Sequence, residues 1–264
     1  AAMRSLAQEY AIDFGEEDPV YFDDTDYELT WEDDFEDPVP YETNAAKYLG
    51  EMSRPWVPKL VDANQVSVGS TGAVADEIAA YVDPNIEGMT DYSAFAVENS
   101  VLKITPYPRP PEFSGVSLPN RNGQKVTAFS GALAAYGRGA AQGAGRQYGY
   151  WEWRFKSPPS QAGNFPALWL LSKNGRWPTE IDAYEMFGAG EATTWHGATH
   201  QDPYWPLTPG GDTGNSPHGA KANVANHTTA FHLIGVDVHP DTGIRFYFDR
   251  KLVGTIPPQN GIAN

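Results

Sequence analysis

Turn signals interrupt this sequence at short intervals along its whole length, and that spacing restricts its fold more than any other feature. Gly and Pro account for 26 and 22 of its 264 residues. Folds built from many short antiparallel strands need such special backbone positions, so the chain reads as a large all-β architecture with few long helices. The stretches between breakers agree. Residues 94 to 104 read as two strands around a Glu98-Asn99-Ser100 turn, stopped by Thr105-Pro106. Tyr148 to Phe155 alternates large aromatic groups with Gly, Glu and Arg, which suits a strand with one face on the core. Phe165 to Leu171 is apolar on both faces, Leu233 to Val238 is a further strand, and residues 244 to 253 give strand, Asp249-Arg250 turn, strand. Strands at this spacing indicate a sandwich of two sheets. The one helix candidate, Ala73 to Tyr81, serves equally well as the start of a strand.

The formal charge of -16 excludes nucleic acid and anionic membrane surfaces as partners, and a neutral or cationic ligand fits better. The absence of cysteine excludes disulfides, thiolate zinc sites and cysteine nucleophiles. No window approaches the roughly 18 consecutive apolar residues of a membrane span. The first residues, Ala1-Ala2-Met3-Arg4-Ser5-Leu6, lack a signal-peptide apolar run, so any export signal is expected outside this sequence. Residues 13 to 37 are rich in Asp and Glu and contain no Lys or Arg. Residues 1 to 28 therefore read as an acidic, solvated N-terminal extension, with a calcium site as the lesser alternative. From Leu29 onward Trp31 and Phe35 intersperse apolar groups among the acids, as an edge strand would, and the folded domain is expected to run from 29 to 264.

The chemistry lies in Glu180-Ile181-Asp182-Ala183-Tyr184-Glu185. Side chains alternate along a strand, so Glu180 and Asp182 share a face, and strict alternation would send Glu185 to the other. A β-bulge near Tyr184, adding one residue, would bring Glu185 back to the acidic face. Three carboxylates crowded together repel one another, so one should keep its proton near neutral pH while another stays ionised. Glycoside hydrolysis needs that division: one carboxylate attacks the anomeric carbon and a second protonates the departing oxygen, the two lying about 5–5.5 Å apart in retaining enzymes. An arbitrary match of this pattern is more often a surface strand facing water. Here it lies between an apolar strand and the aromatic stretch Tyr184 to Phe187, where burying three acids is unfavourable unless a site needs them.

The motif resembles the signature of glycoside hydrolase family sixteen, in the bulged, longer form of its laminarinase-like and galactan-cleaving members. Further stretches carry the resemblance in order and spacing over roughly residues 29 to 256: Leu29 to Phe35, Ser130-Gly131, Tyr148 to Glu152, Gly163 to Leu171, Trp195-His196, Phe231-His232, Gly235-Val236-Asp237 and Phe246 to Asp249. It implies a jelly-roll β-sandwich of two antiparallel sheets with a concave substrate cleft. It also implies a retaining mechanism in which Glu180 is the nucleophile, Glu185 the general acid/base and Asp182 the central acid that tunes them, with Trp169 and Trp177 near the sugar at the cleavage point. No cofactor is needed for catalysis, and a structural calcium ion is common on the convex side, with no ligands indicated here. Two departures stand out. Thr179 replaces the usual Gly, and the sequence stops at Asn264, where the family continues through further strands, so the expectation is either a shortened chain or a second polypeptide that supplies them.

Other residues suit a sugar cleft, because apolar sugar faces stack on aromatic rings while polar groups hold hydroxyls. Trp177 and Trp195 are divided between cleft and core, Trp205 in its Pro-flanked loop reads as a rim contact, and Trp31, Trp151 and Trp153 as core. His196 matches the family's cleft histidine, positioned for sugar or for the acid/base. Asn164 is either a donor to a sugar hydroxyl or a turn former. The other histidines, His200 among them, carry little signal singly, and a zinc site on His196 and His200 is opposed by Gly197 and the lack of helical flanks.

The leading expectation is a secreted or periplasmic, endo-acting β-glucan hydrolase acting on a polysaccharide. A transglycosylase uses the same acids, and a non-catalytic binding protein would usually have lost one of them. With 18 Lys plus Arg against 34 acids, neutral β-1,3 or mixed-linkage glucans are favoured over sulfated galactans, although Lys173 and Arg176 form a local basic pair. An acidic exopolysaccharide is the remaining alternative.

Overall fold

The computed structural model describes residues 19–44, 52–58, 79–114, 126–135, 145–171, 180–200 and 218–257. The chain divides into two compact units, one of residues 29–145 with 173–175, the other of 1–28, 146–172 and 176–264.

In the first unit, β1 (Ala79–Tyr81) runs parallel to β5 (Ala128–Ser130), which pairs on its other side with β4 (Tyr107–Pro108). Ala80, Val82, Val126 and Phe129 are buried there, with Met89, Tyr92, Tyr107 and Phe113 packed on them. The helix alternative for residues 73–81 therefore resolves as a strand over its last three residues, the others lying outside the described residues. The expected hairpin is present as β2 (Phe95–Glu98) and β3 (Val101–Ile104). Asn99 and Ser100 have φ of 52° and 55°, the left-handed pair that a two-residue hairpin loop requires.

The edge strand expected from Leu29 to Phe35 is absent; the backbone there is irregular. Its acids explain why. Asp33 and Asp34 accept from the backbone N–H groups of Phe35 and Glu36, two residues on, and Phe35 takes a φ of 56°. Such local bonds compete with a sheet ladder. The segment is tied down by side chains instead: Asp33 accepts from the Trp56 indole at 2.6 Å, and the buried Glu42 carboxylate accepts from the N–H and hydroxyl of Ser53.

The second unit is the sandwich. One sheet has the order β10 (His218–Asn223), β9 (Thr194–His200), β8 (Glu180–Glu185), β7 (Ala167–Leu171). The other has the order β13 (Lys251–Ile256), β12 (Gly243–Phe248), β11 (His232–His239), β6 (Gly149–Phe155). All pairs are antiparallel. Ala183, Tyr184, Met186 and Trp195 from the first sheet meet Ile234, Val236, Ile244, Phe246 and Val253 from the second in one core. The Asp249-Arg250 turn forms as expected, with φ of 51° and 62°.

Residues 19–28 are not the solvated arm expected of them. Val20 and Phe22 exchange backbone hydrogen bonds with Leu252 and Arg250. The Phe22 ring stacks on Tyr150 at 3.6 Å between centroids, and Tyr27 donates its hydroxyl to the buried Asp237, which also binds Arg245. A strongly acidic stretch is held because its aromatic residues bury area against the sheet while Asp24 pairs with Arg250.

Trp195 is fully buried and packs on Phe246, so its alternative reading as a core residue is the one realised, and it is removed from the sugar contacts. Trp195→Ala should cost about 3–5 kcal/mol of stability, read by denaturant unfolding.

Candidate active site

The register of β8 against both neighbours shows how Glu185 reaches the acidic face. On β7, Trp169 lies opposite Asp182, Leu168 opposite Tyr184 and Ala167 opposite Glu185; on β9, Ala198 lies opposite Asp182 and His196 opposite Glu185. One extra β8 residue is thus accommodated between Asp182 and Glu185, the expected bulge. Ala183 and Tyr184 both turn into the core, and Glu180, Asp182 and Glu185 share the other face. A bulge takes a backbone group out of the ladder, and here the Ala183 carbonyl accepts from the Trp195 indole N–H at 2.9 Å. The ring lies over Gly197, where a Cβ would stand only 2.4 Å from it. Any side chain at 197 would push the indole off the carbonyl.

The acids occupy graded environments. The Asp182 side chain is 4% exposed, that of Glu180 20%. Burial first, and then the charges of Asp182 and Glu180, push Glu185 up to about 8, against the opposing influence of His200. This carboxyl keeps a transferable proton at neutral pH, the property a general acid needs.

His200, little marked in the sequence, lies across from Glu180 on β9. Its Nε2 is 3.2 Å from Asp182 Oδ2 and 3.8 Å from Glu180 Oε1. That Asp182 oxygen has no aligned hydrogen-bond donor among the described residues, so the approach of the ring acts through proximity of charge. Strand periodicity could have found His200: positions 196, 198 and 200 share a face, and the four-residue spacing that fails on a helix succeeds on a strand. One ligand atom each from Glu180, Asp182 and His200 lies within 4.8 Å of the others, the one such grouping among the described residues, so a metal ion here would compete with the acids for their chemistry.

His196 is on the same face, opposite Glu185, and its Nε2 lies 2.7 Å from Glu191 Oε2. Burial holds His196 below the usual histidine range, and Glu191, though burial opposes it, is held below the carboxylate range by the His196 bond. At neutral pH the pair is a neutral imidazole donating Nε2–H to an ionised carboxylate, which leaves Nδ1 as an acceptor. Glu191 was not marked by the sequence. Its loop is anchored by His227, whose Nε2 faces the carbonyls of Glu191 and Thr194, and whose Nδ1 is 3.0 Å from the Tyr184 hydroxyl. The two carbonyls require the proton on Nε2, so Tyr184 donates to Nδ1.

Trp169 pairs with Asp182 and stands on the acidic face. The Asn164 amide donates to the Pro159 carbonyl at 2.8 Å, as its turn-forming role requires. Trp177, Trp205, Lys173 and Arg176 lie outside the described residues.

A general-acid role for Glu185 would require its protonated form, which persists below about 8. The value of kcat/KM should therefore hold through neutrality and fall as the pH rises through about 8, measured as a pH–rate profile. The same raised value favours the folded state at low pH and loses that contribution as pH rises through about 8. Glu185→Gln should thus raise Tm relative to the parent more at pH 9 than at pH 5, read by thermal unfolding at the two pH values.

No protein-family model matches the chain. Among characterised proteins it is similar to the endo-1,3-1,4-β-glycanase EglC of Rhizobium meliloti, 31% identical over 220 residues, covering 83% of this chain and 40% of that protein. It is also similar to the endo-1,3-1,4-β-glycanase ExsH of the same organism, 31% identical over 181 residues, covering 69% of this chain and 34% of ExsH. The chain thus spans about two fifths or less of the length of these relatives. In fold it matches the GH16 non-specific endo-β-1,3(4)-glucanase SCLam, with a TM-score of 0.63 at 23% identity over 91% of this chain and 80% of that one. The laminarinase from Rhodothermus marinus follows with a TM-score of 0.56 at 22% identity over 90% and 76%. The two-sheet sandwich is therefore the jelly roll that the acidic motif implied. The chain thus has the jelly-roll fold of these family-sixteen glucanases, is similar in sequence to endo-1,3-1,4-β-glycanases, and carries three acids on one face of a bulged strand.

Proposed function

We propose that this chain is a retaining, endo-acting glycoside hydrolase that cleaves internal β-1,3 or mixed β-1,3-1,4 bonds of a neutral glucan. The observation that carries the reading is the bulge, which returns Glu185, with its raised pKa, to the face that holds Glu180 and Asp182. In the first step a Glu180 carboxylate oxygen attacks the anomeric carbon, the bond to the glycosidic oxygen breaks, and that oxygen takes the Glu185 proton. In the second, Glu185 removes a proton from water, which attacks the same carbon and releases Glu180. Inversion twice over leaves the β configuration unchanged. Asp182, buried between the two, raises Glu185 by its charge, while Trp169 and the Nδ1 acceptor of His196 stand on the same face to meet the sugar.

Charge supports the substrate class. Among the described residues of β7 to β10, Lys221 is the one Lys or Arg, it lies opposite His196, and its charge acts on the ionised Glu191. Among the described residues of this face, a sulfated or carboxylated polymer would meet no other cation. EglC and ExsH are named as endo-1,3-1,4-β-glycanases, and a mixed-linkage substrate here agrees with that. Polymers of this kind lie outside the cell, which suits an enzyme acting in the periplasm or beyond.

Reducing-end release from lichenan, laminarin, agarose, carrageenan and a succinoglycan-type polymer tests the reading. The first two should be cleaved, with β-configured products by NMR at early times. Glu180→Gln should abolish release, and Glu185→Gln should lower turnover by about 10²–10⁴-fold. Wild-type rates in Glu180→Gln would overturn the assignment.

A further inference from the structure

Phe165 and Phe187 are large apolar side chains left in the open, at 45% and 44% exposure. Their rings touch, with centroids 5.4 Å apart and planes inclined at 32°. Packing inside the unit does not explain Phe187, since its neighbour Met186 takes the buried place and is itself fully buried. Alternation then fixes their face. Phe187 follows Glu185 by two and Phe165 precedes Ala167, the partner of Glu185, by two; a Met186 N–H to Pro166 carbonyl bond continues the β7–β8 pairing between them. Both rings therefore extend the acidic face beyond Glu185, on the side away from Glu180. The edge of His196, itself opposite Glu185, meets Phe187 at 5.0 Å and 87°.

The pair is also held in place. Asn164 binds the Pro159 carbonyl and closes the turn before Phe165, and Ser160 donates its hydroxyl to the Gly188 carbonyl directly after Phe187. The Glu191 N–H in turn donates to that hydroxyl. Gly188, at a φ of 85°, makes the turn that lets Phe187 stand clear of the core. An exposed aromatic surface fixed by hydrogen bonds on both flanks loses little conformational entropy when it binds.

We propose that Phe165 and Phe187 form a stacking platform for the glucosyl unit on the leaving-group side of the cleaved bond. The chemistry supplies the direction. The glycosidic oxygen departs in line, away from Glu180, and receives its proton from Glu185, so the sugar that carries it passes over the surface beyond Glu185. That surface is the aromatic pair, and the apolar face of a pyranose complements it. By microscopic reversibility the same platform receives an acceptor sugar in place of water in the second step, so it also sets the share of transglycosylation. This inference rests on the glucan-hydrolase reading and extends it.

The test compares two substrates in the parent protein and in Phe187→Ala, Phe165→Ala and Phe187→Trp. One is a soluble mixed-linkage β-glucan. The other is a β-oligoglucosyl fluoride, whose leaving group is too small to reach the platform. In both alanine variants kcat/KM for the glucan should fall about tenfold more than for the fluoride, and the share of transglycosylation products should drop; Phe187→Trp should restore both. Equal losses on the two substrates, or no loss on either, overturn the platform while leaving the hydrolase reading intact. A parent protein that turns over neither substrate overturns the hydrolase reading, and the platform with it.

Discussion

The bond from the Trp195 indole to the Ala183 carbonyl is the contact on which the acidic face depends. A six-residue strand with plain alternation cannot show its first and last residues on one side. The bulge resolves that conflict and leaves a carbonyl outside the ladder, which would be costly in a dry core. Trp195 supplies both the donor and the apolar bulk that fills the space, and Gly197 supplies the room for its ring. The core of the sandwich and the position of Glu185 are therefore one packing problem with a shared solution.

On the other side of β8 the governing quantity is charge. Three carboxylates are drawn together by the backbone, and burial keeps water from dispersing their repulsion. The least costly outcome is to leave a proton on one of them. Glu185 takes it because burial weighs on that group and the other two acids add to it, while His200 moderates the effect from β9. Glu191 and His196 repeat the theme at the end of the same face, with a neutral ring and an ionised acid in place of two competing anions.

Much of this was legible in the sequence where local rules act alone. The Asn99-Ser100 and Asp249-Arg250 hairpins, the aromatic strand β6 and the bulge all followed from backbone preference and side-chain alternation. The failures lie where side chains form bonds that periodicity does not record. Asp33 and Asp34 curl the chain onto itself where apolar spacing suggested a strand. Phe22 and Tyr27 anchor an acidic stretch whose composition suggested a solvated arm. Trp195 was divided between cleft and core because its neighbour His196 faces the cleft, and adjacent residues on a strand must part company. His200 carried little mark because the acids that make it part of the site lie across the sheet on β8, and Glu191 carried none because its loop is brought to His196 only by the fold.

The bulge has a meaning in terms of parity. Counted from Glu180, a regular strand presents its even steps to the cleft, and Glu185 is an odd step made even by one residue that does not count. Deleting either residue between Asp182 and Glu185 would restore plain counting and keep the last acid on its face, whereas a deletion between Glu180 and Asp182 would set the first acid against the other two. The strand thus tolerates a change of length at one place only. The two lengths would still differ in one respect, since the shorter strand has no unpaired carbonyl to offer, and the indole of Trp195 would be left holding a proton with nowhere to give it.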